Sequence, residues 1–292
     1  MNKVIAIVGP TGVGKTKLSI ILAKHLNGEI INADSTQVYK GLDIATAKVT
    51  DEEKENIVHH LFDIKNINED YTVYDYQLDS RKIIDDIIKR GKTPILVGGT
   101  GLYVKACLYD YKFEEENIKY DYSNYSDLEL YDMLIKIDPN TLIHKNNRKR
   151  IERALSYYNS TGKLLSDKEK TNKKIYDSYI IGLTTDREKL YNIINSRVDK
   201  MVKIGLIEEA KKIYDSNIRT KAVLTPIGYK ELFPYFDKLD TLENCLEKIK
   251  QNSRRYAKRQ YTFFNNQMDV NWFNVNFDDF NKTVSEIEKI LE

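Results

Sequence analysis

Gly9-Pro10-Thr11-Gly12-Val13-Gly14-Lys15-Thr16 follows directly on the apolar run Val4-Ile5-Ala6-Ile7-Val8. The eight residues fill every position of the phosphate-loop pattern G-x-x-x-x-G-K-[ST]. The apolar run before them reads as a buried strand, and the residues from Lys15 to about 26 read as a helix. Strand, glycine-rich loop and helix start together make a site for a di- or triphosphate. The glycines let backbone N–H groups converge on one point. The helix start adds a positive dipole end. Lys15 supplies a full charge, and Thr16 offers a hydroxyl to a Mg²⁺ carried by the phosphates. The motif does not say which phosphate compound binds, ATP included, or whether phosphate is transferred or leaves.

Outward from this loop the strand–helix rhythm continues. Residues 30–33 read as a second strand ending at Asp34, and 50–60 as a polar stretch with a helix. Tyr76, Ile83, Ile84, Ile87 and Ile88 recur at helical spacing within 74–89. Thr93 to Val97 reads as a third strand, ending in Gly98-Gly99-Thr100-Gly101. Strands alternating with helices imply a parallel sheet, in which ligands bind at the carboxyl ends of the strands. Those ends are Gly9, Asp34 and Gly98, so three loops should converge on one crevice. Over 111–145 Tyr, Asp, Glu and Asn dominate and the rhythm stops. It resumes with a helix from Arg148, a strand at 180–183, helices from Arg187 and over 246–265, a strand at 270–275 and a final helix at 278–291. The expected fold is α/β: a P-loop NTPase-like parallel sheet flanked by helices, with a small helical insertion domain. Its core takes 1–110 and 146–292, and the insertion takes 111–145.

The 292 residues carry 46 Lys and Arg against 44 Asp and Glu, so no global field draws the chain to nucleic acid, and any basic surface must be local. Two such clusters exist. Lys149, Arg150 and Arg153 share one helix. Lys248, Lys250, Arg254, Arg255, Lys258 and Arg259 share another, interleaved with Tyr256 and Tyr261. Basic groups among aromatics suit RNA, though a solvated face reads equally well. Cys107 and Cys245 lack metal-ligand spacing and read as reduced thiols of a cytoplasmic protein. No apolar stretch reaches the roughly 18 residues that a membrane span needs, and the N-terminal run reads as a core strand rather than a signal peptide. His59-His60 lacks a third ligand spaced for zinc. Asp34-Ser35 reads either as a helix cap or as a proton-accepting carboxylate beside the phosphates. These residues alone leave a small-molecule kinase and a non-catalytic RNA-binding protein open.

Several longer segments narrow this. Residues 9–16, Asp34-Ser-Thr-Gln-Val-Tyr-Lys-Gly-Leu-Asp-Ile-Ala-Thr-Ala-Lys48, His59-His-Leu-Phe-Asp63, Val97-Gly-Gly-Thr-Gly-Leu-Tyr103, Asn147-Arg-Lys-Arg-Ile-Glu-Arg-Ala-Leu155, Ile227-Gly-Tyr-Lys-Glu231 and Ala257-Lys-Arg-Gln260 stand in the order found in bacterial tRNA dimethylallyltransferases. The chain resembles that family from end to end. The 34–48 segment is the most diagnostic, because phosphate-loop kinases lack it.

The resemblance implies transfer of a dimethylallyl group from dimethylallyl diphosphate to N6 of an adenosine. That adenosine is 3′-adjacent to the anticodon, at tRNA position 37, in tRNAs reading codons that start with U. Diphosphate would then be a leaving group held by Gly9, Pro10, Thr11, Gly12, Val13, Gly14, Lys15 and Thr16, with Mg²⁺ on Thr16. Asp34 would take the amine's proton, and Arg187 would face the diphosphate. Asp34, Ser35, Thr36, Gln37, Thr100 and the Lys149, Arg150, Ile151, Glu152, Arg153 helix would meet the tRNA. The basic helix would add Arg254, Arg255, Lys258 and Arg259. A monomer is expected, with no membrane partner. The chain departs from the family pattern at Ile193, where a site arginine is common, at Ala45, where Gly is usual, and in a short insertion.

Overall fold

The structure is a computed structural model and describes residues 3–113, 120–167 and 173–291. The chain forms two compact units, Met1–Tyr111 with Asn172–Glu292, and Lys112–Thr171.

The larger unit is built on six parallel strands in the order β3-β2-β4-β1-β5-β6. They are β1 (Val4–Val8), β2 (Gly28–Asn32), β3 (His59–His60), β4 (Thr93–Val97), β5 (Ser178–Thr184) and β6 (Asn271–Asn274). β1 is buried along its whole length, as a central strand covered on both faces must be. Its alternate residues serve opposite faces. Val4, Ala6 and Val8 enter one core cluster with Ile84 and Ile87 of helix α2 (Val73–Lys89), after α1 (Lys15–His25) in the chain. Ile5 and Ile7 enter the other, with Leu18 and Leu22 of α1. Thr72 and Asp75 start α2 by bonding each other's backbone N–H.

Helix α3 (Gly101–Leu108) follows β4 and is buried on nearly every side. An all-round apolar helix carries no 3.6-residue stripe, and the sequence gives no sign of it. The smaller unit contains α4 (Asp127–Ile137) and α5 (Arg148–Thr161), which pack Leu130, Leu134, Ile151, Ala154 and Leu155 into their own core. The larger unit resumes after it with α6 (Arg187–Lys203), α7 (Leu206–Asp215), the short α8 (Lys221–Leu224) and α9 (Phe233–Phe236), α10 (Leu242–Gln267) and α11 (Phe280–Leu291).

Two expectations change. The insertion ends at 171 rather than 145, because α5 shares a hydrophobic core with α4. The helix expected within 50–60 is a run of turns followed by β3. Thr50 and Glu53 do exchange capping bonds, but Glu55 and Asn56 take left-handed φ values of 46° and 61°, which stop a helix after one turn. His59 and His60 therefore lie on a strand. His59 bonds the Ile57 carbonyl, while His60 bonds Glu29. Among the described residues no group of three or more His, Cys, Asp or Glu could hold a metal.

Glu29 lies at the start of β2 with a side chain only 3% exposed. Arg90 grips both its oxygens, at 2.5 and 2.8 Å, and Lys92 and His60 each approach to 2.8 Å. The Arg90 hydrogen bonds hold the Glu29 carboxyl far below its ordinary 4.5, against the opposing effect of burial. A depressed carboxylate stabilises the fold fully above the unfolded value and loses that contribution as pH falls below it. Glu29→Gln is expected to cost about 1–3 kcal/mol at pH 7. Urea titrations should show the gap between native and variant closing as pH drops from about 4.5.

Candidate active site

The three loops at the carboxyl ends of β1, β2 and β4 line one crevice of about 850 Å³ in the larger unit. Gly12 and Gly14 take φ values of 88° and 92°, which only glycine holds without strain, and so the loop curls its backbone toward the start of α1. The N–H groups of residues 12–16 have no main-chain acceptor in the described loops and caps. Lys15 extends back over the loop and donates to the Pro10 carbonyl at 2.8 Å. Burial, with the charge of Arg197 beside it, pushes the Lys15 ammonium down to about 8, although Asp34 pulls the other way. Thr16 is exposed at the helix start.

Asp34 leaves β2 in a fixed pose. Buried Asn32 accepts the Asp34 N–H at 2.8 Å and donates to the carbonyls of Asp34 and Leu61, both at 3.0 Å. One carboxylate oxygen of Asp34 accepts the backbone N–H and the hydroxyl of Thr36, at 3.0 and 2.7 Å. The other oxygen has no hydrogen-bond partner among the described residues. Such a carboxylate is oriented by one oxygen and open for proton transfer at the other.

Thr100 ties the β4 loop to the β2 loop by accepting the Ser35 N–H at 3.0 Å. Its hydroxyl also meets Tyr256 of α10, whose phenol is raised by burial. Gln37 turns its amide onto the carbonyls of Thr46 and Ala47 and so folds the 34–48 segment on itself. Glu209 of α7 fastens that segment from outside, accepting the N–H groups of Asp43, Ile44 and Ala45 and the Tyr229 hydroxyl.

The arginines are placed otherwise than the sequence suggests. Arg187 is exposed, lies 5.2 Å from the Tyr191 ring, donates to its hydroxyl at 3.0 Å, and does not line the crevice. Ile193 packs its side chain against Gly12 beneath the phosphate loop. The crevice receives Arg197, one turn further along α6. Arg197 is half-buried and makes no hydrogen bond or ion pair with another described residue. Burial lowers its pKa, while Asp34 and Glu53 act to raise it. Sequence reasoning missed Arg197 and Asn32. The signals were an arginine on the apolar face Leu190, Ile194, Val198, and an amide directly after the apolar pair Ile30-Ile31 at a strand's end.

The proposed RNA contacts divide. Arg259 lines the crevice with its guanidinium 5.6 Å from the Tyr256 ring, and Arg255 and Lys258 are exposed beside it. Arg254 is tied down by Asn195, at 2.5 Å. In the smaller unit Lys149, Arg150 and Arg153 are exposed on α5. Ile151 is fully buried in that unit's core and Glu152 pairs with Arg148 at 2.7 Å, so these two serve the helix itself.

Comparison with known proteins shows the family. The sequence profile of the IPP transferase family matches residues 37–267. A tRNA dimethylallyltransferase of Anoxybacillus flavithermus is 52% identical over all of this chain and 96% of its own length. One from Bacillus subtilis is 47% identical over 93% of this chain and 90% of its own. A crystal structure of the tRNA isopentenylpyrophosphate transferase of Bacillus halodurans is similar with a TM-score of 0.78. It is 46% identical and covers 100% of this chain and 96% of its own. A eukaryotic dimethylallyltransferase acting on tRNA gives 0.80 at 32% identity, over 98% of this chain and 77% of its own. With the phosphate loop, the oriented carboxylate and the 34–48 segment in place, the chain belongs to the IPP transferase family.

Proposed function

We propose that this protein transfers the dimethylallyl group of dimethylallyl diphosphate to N6 of the adenosine 3′-adjacent to the anticodon, position 37, in tRNAs reading codons that begin with U. The observation that carries this reading is the open Asp34 oxygen in the same crevice as Lys15, Arg197 and the phosphate loop. In the reaction the C1–O bond of the donor breaks and diphosphate leaves with the electron pair. The N6 nitrogen bonds C1, and its proton passes to Asp34. Charge builds on the leaving oxygen. The free N–H groups of residues 12–16, Lys15 and Arg197 stand where they can meet it. The adenine must leave its stack to reach the crevice, and Tyr256 and Arg259 offer it a ring and a guanidinium there.

A diphosphate brings its own Mg²⁺, which keeps several waters and asks little of the protein. One exposed hydroxyl, Thr16, fits that demand. Bound there, the ion would neutralise charge on the leaving group.

We further propose that the protein works as a monomer in the cytoplasm. Among the described residues no helix is long and apolar enough to cross a membrane.

A nucleotide kinase would use the same loop. Incubation with ATP labelled on its γ-phosphate should yield no labelled acceptor, while tRNA-dependent release of diphosphate from dimethylallyl diphosphate should be measurable. The opposite pattern would favour the kinase. Because burial and the charge of Arg197 push the Lys15 ammonium down to about 8, its charge should fade above that pH. The free enzyme's kcat/KM for the donor is expected to fall as pH rises through about 8. Lys15→Arg, which stays charged, should remove that limb from the pH profile while lowering the rate.

A further inference from the structure

The crevice does not end at the charged groups. Val198, Met201, Pro226, Ile227 and Ile249 line it as well, and Val198, Met201, Ile227 and Ile249 belong to a hydrophobic cluster separate from the two that flank the sheet. Helix α6 runs the length of the site. Ile193 presses on Gly12 at the phosphate loop, Arg197 stands one turn on, and Met201 a turn beyond. Met201 lies eight positions beyond Ile193, which is about 12 Å along a helix axis. That span suits a diphosphate followed by a short chain. Facing α6, helix α10 repeats the order, with Gln260 donating to the Gly99 carbonyl and Tyr256 meeting Thr100, then Ser253, then buried Ile249. The far wall is firm. A Cβ on Gly228, next to Ile227, would lie 2.9 Å from the Ala45 methyl, so the 227–228 turn sits directly on the 34–48 segment.

We propose that Met201, against Ile227 and Ile249, closes the apolar end of the crevice and restricts the donor to a five-carbon tail. The inference rests on the prenyl-transfer reading and adds the residue that sets chain length. Val198 and Ile249 are almost fully buried, whereas Met201 is half-buried and unbranched. Met201 is therefore the wall residue whose truncation lengthens the pocket with least disturbance of the core. The chemistry is the same for a longer donor: C1–O breaks, N6–C1 forms, diphosphate leaves and Asp34 takes the proton.

The test compares dimethylallyl and geranyl diphosphate as donors to the same tRNA, with native protein, Met201→Ala and Ile227→Ala. A pocket wall discriminates by about 10- to 200-fold per methylene-sized change. The kcat/KM ratio of geranyl to dimethylallyl should rise at least tenfold in Met201→Ala, and rise also in Ile227→Ala. Met201→Phe should raise KM for dimethylallyl diphosphate with tRNA affinity unchanged. Ratios within twofold of native in both alanine variants would overturn the inference. So would loss of both activities in Met201→Ala with an unchanged circular dichroism spectrum, which would make the residue structural. A native protein that transfers neither tail would instead sink the prenyl-transfer reading itself.

Discussion

Asp34→Asn is expected to lower the rate of prenyl transfer by about 10²–10⁴-fold, the usual effect of removing a proton acceptor. The amide can still accept the Thr36 N–H and hydroxyl through its oxygen, as the carboxylate does. The turn that Asn32 and Thr36 impose should thus survive, with circular dichroism and tRNA affinity close to native. Donor binding should hold or tighten, because Asp34 opposes an anion in the crevice. Single-turnover rates with saturating tRNA and donor read the chemical step alone. A variant as fast as native would show that Asp34 only caps a turn. The non-catalytic RNA-binding alternative makes that same prediction.

The second large effect belongs to Arg197. Arg197→Met keeps much of the side chain's volume and removes a cation that no described protein group neutralises through a hydrogen bond or ion pair. Loss of one group that meets charge in a transition state costs about 10²–10³-fold. Arg187→Met removes a solvent-exposed guanidinium that donates to the Tyr191 hydroxyl and should change kcat/KM by no more than about twofold. Inhibition by inorganic diphosphate separates the two. Arg197→Met should weaken it markedly and Arg187→Met hardly at all. The reverse ranking would return the diphosphate contact to Arg187. The Lys15 titration should move too. With the Arg197 charge gone, the high-pH limb should shift upward from about 8.

What could be read from the chain alone follows from where the information is local. The phosphate loop is contiguous, each of its positions has its own physical reason, and β1 before it is apolar throughout. Loop, strand and helix start were therefore legible together. The position of Asp34 at the end of β2 beside the loop was legible from the strand pattern, but the residues themselves left a helix cap and a proton acceptor open, and only the resemblance favoured the second. Arg197 was not. Its role depends on which face of α6 turns inward, and that is fixed only when Leu190 and Ile194 pack into a core cluster of the sheet and Val198 into a separate one with Ile249 of α10. One turn of phase separates Ile193, buttressing Gly12, from Arg197, open to the crevice. The insertion's end was misplaced for a similar reason. α5 carries a basic face that resembles a core helix, but Ile151, Ala154 and Leu155 pack against α4. The Ser126–Glu129 capping box that begins α4 was present in the sequence and passed over.

The most direct test of the account is a reconstituted reaction. Purified protein, Mg²⁺ and dimethylallyl diphosphate are incubated with unmodified tRNA whose anticodon ends in A and is followed by two adenosines. The RNA is digested and its nucleosides are weighed by mass spectrometry. The account predicts a gain of one dimethylallyl unit on a single adenosine, mapped 3′ of the anticodon and lost when that position is changed to guanosine. Bound tRNA with no mass gain, while the donor is intact and Mg²⁺ is present, would contradict it.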